Sequence, residues 1–305
     1  MSTEILKKTR HYIEYFFLLG FVLLTWMFSL KGILLLGDLL GWFAFSVLGI
    51  RRKVVLDNLS HAFPEKSEKE LLAIARKSYQ NFAKMTLEYM RFPRMTGEDV
   101  LSLCRLEGKE KLELALKRGK GAVLVGGHFG NWELMGAALV QLGYPVSFLV
   151  GEQHNKLVDN MMNHNRILMG VKIIHMGMAV RGVLKALRNN GFVALLSDQD
   201  AGRDGVFVNF FGRLASTPQG PAVFVLKTGA PIIFGSAVRL PGGRHRIICE
   251  LLSFDHLRGV TPENIREVTQ SYTSLLEQAI RAHPDHWFWM HRRWKSRPLC
   301  EMGEQ

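Results

Sequence analysis

The chain has 305 residues, 48% of them hydrophobic and 22% charged, which excludes intrinsic disorder and suits one large α/β domain or two modest ones. Lys and Arg outnumber Asp and Glu by 39 to 27, and the net charge of +12 favours a polyanionic partner, either nucleic acid or an anionic membrane surface. Cys104, Cys249 and Cys300 are widely spaced and form no CxxC pair, which disfavours a disulfide framework or a zinc–thiolate site and points to a reducing compartment.

The N-terminal region is greasy. Residues 15–30, YFFLLGFVLLTWMFSL, carry no charge, and 32–50 hold only Asp38. Lys7, Lys8 and Arg10 precede this region, and Arg51, Arg52 and Lys53 follow it. A membrane-spanning helix needs about 20 apolar residues. Residues 1–50 are therefore expected to form a membrane anchor or an interfacial helical segment. The bracketing cations predict contact with anionic lipids and place the rest of the chain on the cytoplasmic side.

Residues 51–94 read as helical, broken at Pro64 and restarted at Ser67, with Glu70 three positions on as a capping box. From residue 101 the pattern alternates. "CRLEGKEKLELALKRGKGAVLVGG" reads strand, short helix, Gly-rich turn, strand. Strands are expected at 145–150, 171–175, 192–197, 231–238 and 246–251, and helices at 156–169, 180–189, 219–228 and 262–281. This alternation predicts an α/β fold, a mixed sheet sandwiched by helices. The only composition break lies near residue 50, so 51–305 is read as one catalytic domain.

The segment GGHFGNWE, residues 126–133, carries the chemistry. His128 follows an apolar strand at 122–125, at the sheet edge where open α/β sheets gather ligands. On one continuous helix, residues five apart point about 140° away from each other. If His128 instead sits on the loop before a helix capped by Asn131, Glu133 in the first turn can face it. The pair then suits a general base and its orienting carboxylate, with the helix N-terminus available to an oxyanion. The glycines at 126, 127 and 130 leave room for substrate. Spacing alone also allows a buried histidine beside a helix cap. There is no HExxH zinc motif, and no GxSxG elbow marks a nucleophilic serine.

The sequence around His128 resembles the late acyltransferases of lipid A biosynthesis, within the wider HxxxxD/E acyltransferase group. The resemblance continues through NLSHAFPEKSEKE (58–70), NRILMGVKII (165–174), LLSDQDAG (195–202), ASTPQGPAVFVLKTGAPII (215–233) and WFWMHRRWKSRP (287–298). It implies a glycerolipid acyltransferase-like fold with an N-terminal membrane helix. The implied reaction is transfer of an acyl chain from acyl carrier protein to a hydroxyl of a lipid A precursor at the bacterial inner membrane. No metal and no cofactor are expected beyond the donor's acyl-phosphopantetheine arm.

By the same resemblance, His128 is the general base, Glu133 orients it, and transfer is direct. Arg166 matches an active-site arginine able to bind an acceptor phosphate or support the transition state. Asp198, Gln199 and Asp200 are expected near His128, holding a hydrogen-bond network or the sugar head group. Asn131, Ser216 and Thr217 are expected to line the substrate site. Arg292, Arg293, Lys295 and Arg297, interleaved with Trp287, Trp289 and Trp294, suit a lipid interface or the acidic carrier protein; nucleic acid is not expected as a partner. The alternatives are an acyl-CoA-dependent enzyme acting on another glycolipid, such as a phosphatidylinositol mannoside, and a non-catalytic lipid-binding protein.

Overall fold

A seven-stranded mixed sheet forms the centre of the protein. The computed structural model describes residues 2–298, with side chains from residue 6 onward, so Cys300 lies outside the described residues. In chain order the elements are α1 (Ser2–Thr25), α2 (Leu30–Ser46), α3 (Arg52–Ala62), α4 (Glu68–Met90), α5 (Gly97–Leu103), β1 (Cys104–Glu107), α6 (Lys109–Lys117), β2 (Ala122–Gly126), α7 (Trp132–Gln141) and β3 (Val146–Val150). They continue with α8 (Lys156–Leu168), β4 (Lys172–His175), α9 (Ala179–Arg188), β5 (Phe192–Leu196), β6 (Val206–Phe210), β7 (Arg213–Thr217), α10 (Gly220–Thr228), β8 (Ile232–Arg239), β9 (His245–Leu252) and α11 (Pro262–Ala282).

The sheet order is β1-β9-β8-β2-β5-β3-β4. Strands β8, β2, β5, β3 and β4 run parallel, and β9 turns back antiparallel on β8 with β1 parallel to it. Every residue of β2 is buried. A strand covered on both faces reads as a continuous apolar run, as AVLVG does. Val123, Val125, Val193 and Phe234 pack on one face with Leu187 of α9, Val225 of α10 and Leu276 of α11. Leu124, Phe192 and Ile233 pack on the other with Leu112 of α6 and Leu134 and Ala138 of α7. The predicted alternation is thus realised, with the mixed sheet between helical layers.

Two features differ from expectation. The first is a separate antiparallel hairpin, β6–β7, which the sequence pattern does not announce. The second concerns the N-terminus, where the expected transmembrane helix is not found. Among the described residues no helix is long and apolar enough to cross a membrane. The reason is local. The apolar region is cut between Thr25 and Leu30, where the Ser29 side chain accepts the Gly32 N–H and starts a new helix. The first half of α1 also carries Lys7, Lys8, Arg10 and Glu14.

Helix α2 lies flat along α4. A Cβ added to Gly41 would stand 2.4 Å from Gln80 Cα, so the two backbones approach as only glycine permits. Away from α4, helix α2 is bare, with Leu35 70% and Leu39 58% exposed, and Phe17 of α1 is 78% exposed.

Candidate active site

Strands β2 and β5 are parallel neighbours whose register ends at Gly126 opposite Leu196. Two residues beyond each strand end stand His128 and Asp198, side by side at the carboxyl edge of the sheet. His128 Nδ1 lies 2.7 Å from Asp198 Oδ1. The His128 backbone N–H and the Trp287 indole N–H both donate to Asp198 Oδ2, each at 2.8 Å. A Cβ on Gly127 would lie 3.1 Å from the same oxygen, so the glycine lets the carboxylate come this close.

A carboxylate can only accept, so Nδ1 carries the proton and the Nε2 lone pair is left free. Burial of the ring opposes its charged form, but the Asp198 charge and hydrogen bond, with Glu133 adding to them, hold the His128 pKa above its ordinary value. Burial would raise the Asp198 pKa, yet His128 and the three hydrogen bonds bring it down to about 2. Asp198 is therefore a permanent anion behind the imidazole.

This corrects the expected His128–Glu133 pairing. Glu133 sits in the first turn of α7, buried, and its carboxylate is taken by Arg166: Nε donates to Oε2 at 3.0 Å and Nη2 to Oε1 at 2.5 Å. Arg166 Nη1 also donates to Asn163 Oδ1 at 3.0 Å. A long guanidinium reaching across from α8 satisfies both carboxylate oxygens bidentately, which a single imidazole N–H does not. Burial opposes the Arg166 charge, but the hydrogen bonds to Glu133 and its charge more than compensate, so the Arg166 pKa is raised. Three of the five N–H groups an arginine carries are engaged in these bonds.

His128, Glu133, Arg166 and Gln199 line one cavity of about 520 Å³. Its remaining wall is mainly apolar and includes Leu124, Met135, Phe148, Met162, Ala194 and Leu196. Polar groups around His128 together with an apolar wall suit a ligand with a reactive head and a hydrocarbon tail.

The other predicted residues serve the frame of the site and do not line the cavity. Asn131 is fully buried; its Oδ1 caps α7 at Leu134 N (2.9 Å) and its Nδ2 donates to Glu88 Oε2 (2.7 Å). Asp200 accepts from the Ser296 N–H (3.1 Å) and hydroxyl (2.9 Å), fastening the C-terminal segment. Ser216 and Thr217 end β7. The Ser216 hydroxyl donates to Gly202 O at 2.6 Å, and the Thr217 hydroxyl donates to Ala215 O at 3.1 Å.

Of the three glycines expected to leave room for substrate, Gly126 lines the cavity, while Gly127 and Gly130 serve close packing. Gly130 has φ +61°, and a Cβ there would stand 1.6 Å from Ala237 O. The loop is stitched down further by the Gly130 N–H on His286 O (2.8 Å) and the Phe288 N–H on His128 O (2.9 Å). The C-terminal run splits by burial: Trp287, Trp289 and Arg293 are buried, with Arg293 donating to Ser216 O and Thr217 Oγ1, whereas Trp294 is half-buried and Arg292, Lys295 and Arg297 are exposed. Sequence reasoning did not anticipate the buried Glu88. It binds Arg239 through both oxygens, and its pKa is brought down to about 2: burial opposes the charge, and Arg239 with His245 overcomes it. Among the described residues no cluster of three or more His, Cys, Asp or Glu is arranged to hold a metal ion.

A carboxylate-held histidine thus faces a cavity with a largely apolar wall, and comparison with known proteins gives the family. A family model described as bacterial lipid A biosynthesis acyltransferase matches residues 2–296. The lipid A biosynthesis palmitoleoyltransferase of Escherichia coli (strain K12) is 26% identical over 271 residues, 87% of this chain and 86% of its own. The lipid A biosynthesis lauroyltransferase of the same organism is 26% identical over 266 residues, 86% and 85% of the two chains. A phosphatidylinositol mannoside acyltransferase of Mycobacterium tuberculosis (strain CDC 1551 / Oshkosh) is 27% identical over 233 residues, 74% and 71%. This chain is an acyltransferase and belongs to the bacterial lipid A biosynthesis acyltransferase family.

Proposed function

We propose that this acyltransferase moves a fatty acyl chain from the phosphopantetheine thioester of acyl carrier protein to a hydroxyl of a lipid A precursor, with His128 as general base. The observation that carries the reading is the hydrogen bond from His128 Nδ1 to the buried Asp198, inside the cavity that also holds Arg166. Asp198 takes the orienting role that sequence spacing assigned to Glu133. Nε2 removes the acceptor hydroxyl proton as the oxygen attacks the thioester carbonyl. The tetrahedral intermediate collapses, the C–S bond breaks, and the imidazolium returns the proton to the departing thiolate. The acyl group passes directly to the acceptor oxygen.

Glu133 fixes the Arg166 guanidinium, whose two unengaged N–H groups are available to the carbonyl oxygen as it becomes negative. The apolar wall from Leu124 to Leu196 accommodates the acyl chain. The exposed apolar sides of α1 and α2 rest on the membrane in which the acceptor lies, with the body of the protein on the cytoplasmic face.

The test is acyl transfer by the purified full chain, followed by mass spectrometry of the lipid product. His128→Ala is expected to abolish transfer while leaving the fold intact; wild-type turnover in that variant would end the proposed mechanism. The mannoside acyltransferase relative supports a second reading, with acyl-CoA as donor and a phosphatidylinositol mannoside as acceptor. Offering both donors and both acceptors in one competition assay separates the two.

A further inference from the structure

A second cavity, of about 610 Å³, lies where α3, the β6–β7 hairpin and the C-terminal segment meet. Five cations from three separate stretches of chain converge on it: Lys53, Arg213, Arg292, Lys295 and Arg297. Among the described residues none of the five forms an ion pair, while the only carboxylate in the lining is Asp57. All five side chains are exposed, and together they focus a positive potential on the cavity that attracts anions.

Three further observations bear on which anion it takes. The cavity is concave and of a size typical for a bound small group, whereas a protein partner generally needs a broader surface. Lys53 and Val54, in the first turn of α3, line it, and no side chain caps that helix. The basic stretch Arg51–Lys53 also directly follows exposed apolar residues just past the end of α2, where Val47, Leu48 and Ile50 are 56%, 57% and 47% exposed. An anion bound here would therefore sit at the level of lipid head groups.

The cavity is coupled to the His128 site by packing. Trp294 in its wall stacks on Phe210 at 5.6 Å, Phe210 meets the edge of Trp287 at 5.5 Å, and the Trp287 indole holds Asp198. Asn58 in the floor donates to Trp289 O (2.8 Å) and His291 O (2.7 Å), fixing the C-terminal segment to α3. Arg166, expected to bind an acceptor phosphate or support the transition state, spends three of its N–H groups on Glu133 and Asn163, and the proposed mechanism assigns the other two to the thioester carbonyl.

We infer that this basic cavity binds a phosphate group on the head of the acceptor lipid and so anchors the acceptor while its hydroxyl reaches His128. The inference rests on the proposed lipid acceptor and adds a phosphate subsite to it.

The test uses the full chain in neutral detergent micelles and a triple variant, Arg292→Ala with Lys295→Ala and Arg297→Ala; all three side chains are exposed, so the fold should survive. Equilibrium binding of a phosphorylated lipid A precursor is expected to weaken at least about tenfold, as loss of charge-assisted contacts to an anion does. Binding of the same lipid with its phosphates removed should not change between wild type and variant. In turnover the variant should show the same rise in acceptor KM, with kcat within about twofold of wild type. Raising ionic strength should mimic the variant, since exposed charges are screened.

Equal binding of the phosphorylated lipid by wild type and variant overturns the inference. A rise in KM for the acyl donor alone would make the cavity a dock for an acidic protein, and a loss confined to phosphatidylglycerol vesicles would make it a site for bulk anionic lipid; either result overturns it. The binding arm requires no turnover. If wild type fails to acylate any lipid A precursor, the proposed function fails, while the phosphate site is still judged by binding.

Discussion

In the proposed mechanism, Asp198 makes His128 a base at a defined pH. A base works when neutral, and the His128 pKa is raised. The wild-type kcat/KM profile should therefore climb with pH and level off above the ordinary histidine value of about 6.5. Asp198→Asn removes the charge that stabilises the imidazolium. It is expected to move the acid limb to lower pH and to cost roughly 10²–10⁴ in kcat, as loss of a tautomer-fixing carboxylate does elsewhere. A pH–rate profile checks both, and an unmoved acid limb would show that another group sets it. His128 was legible from its place after an apolar strand. Asp198 was expected on the same edge in a hydrogen-bond network, as it is found, but its direct pairing with Nδ1 in place of Glu133 was not, because that depends on the register between β2 and β5, which a single sequence does not display. Read afterwards, AVLVG-G-His and FVALL-S-Asp are two strands of equal length, each followed two residues on by a reactive side chain.

At the scale of elements, the loop before α7 is held more tightly than a substrate-binding loop requires. Gly130 combines a left-handed φ with contact to the Ala237 carbonyl, and Asn131 links the start of α7 to the Glu88–Arg239 pair. Gly130→Ala should therefore cost more than about 2 kcal/mol through backbone strain and displacement of β8. Thermal denaturation should show a Tm lower by more than about 3 °C, and an unchanged Tm would mean the loop yields freely. The βα alternation was visible in the sequence because the buried strands are short apolar runs bounded by turns. The β6–β7 hairpin was hidden because its turn is Phe211–Gly212, with φ of +54° and +75°. Such turns usually carry Asn-Gly or Asp-Gly. Here burial of Phe211 against Phe63 and Trp289 offsets the strain of its backbone.

At the scale of the whole molecule, the N-terminal helices form one side of the protein body. Composition predicted contact with a membrane but could not show that the apolar stretch breaks at Ser29 and that α2 folds back on α4. Apolar side chains bare on one side and packed on the other suit a helix lying in the lipid interface. Replacing Leu35 and Leu39 together by Glu is expected to abolish most co-sedimentation with anionic vesicles while leaving Tm unchanged. Undiminished sedimentation would place membrane contact on another surface.

The bonds from residues 286–288 to the His128 loop also set a timetable. Gly130 needs His286 O, the His128 carbonyl needs the Phe288 N–H, and Asp198 needs the Trp287 indole. A ribosome makes these partners long after it has made β2 and β5. The sheet has all its strands before α11 is synthesised, but the His128–Asp198 pair stays unbraced until residues 286–288 have followed α11. A nascent chain therefore brings the two side chains to one sheet edge before the contacts that hold them together exist.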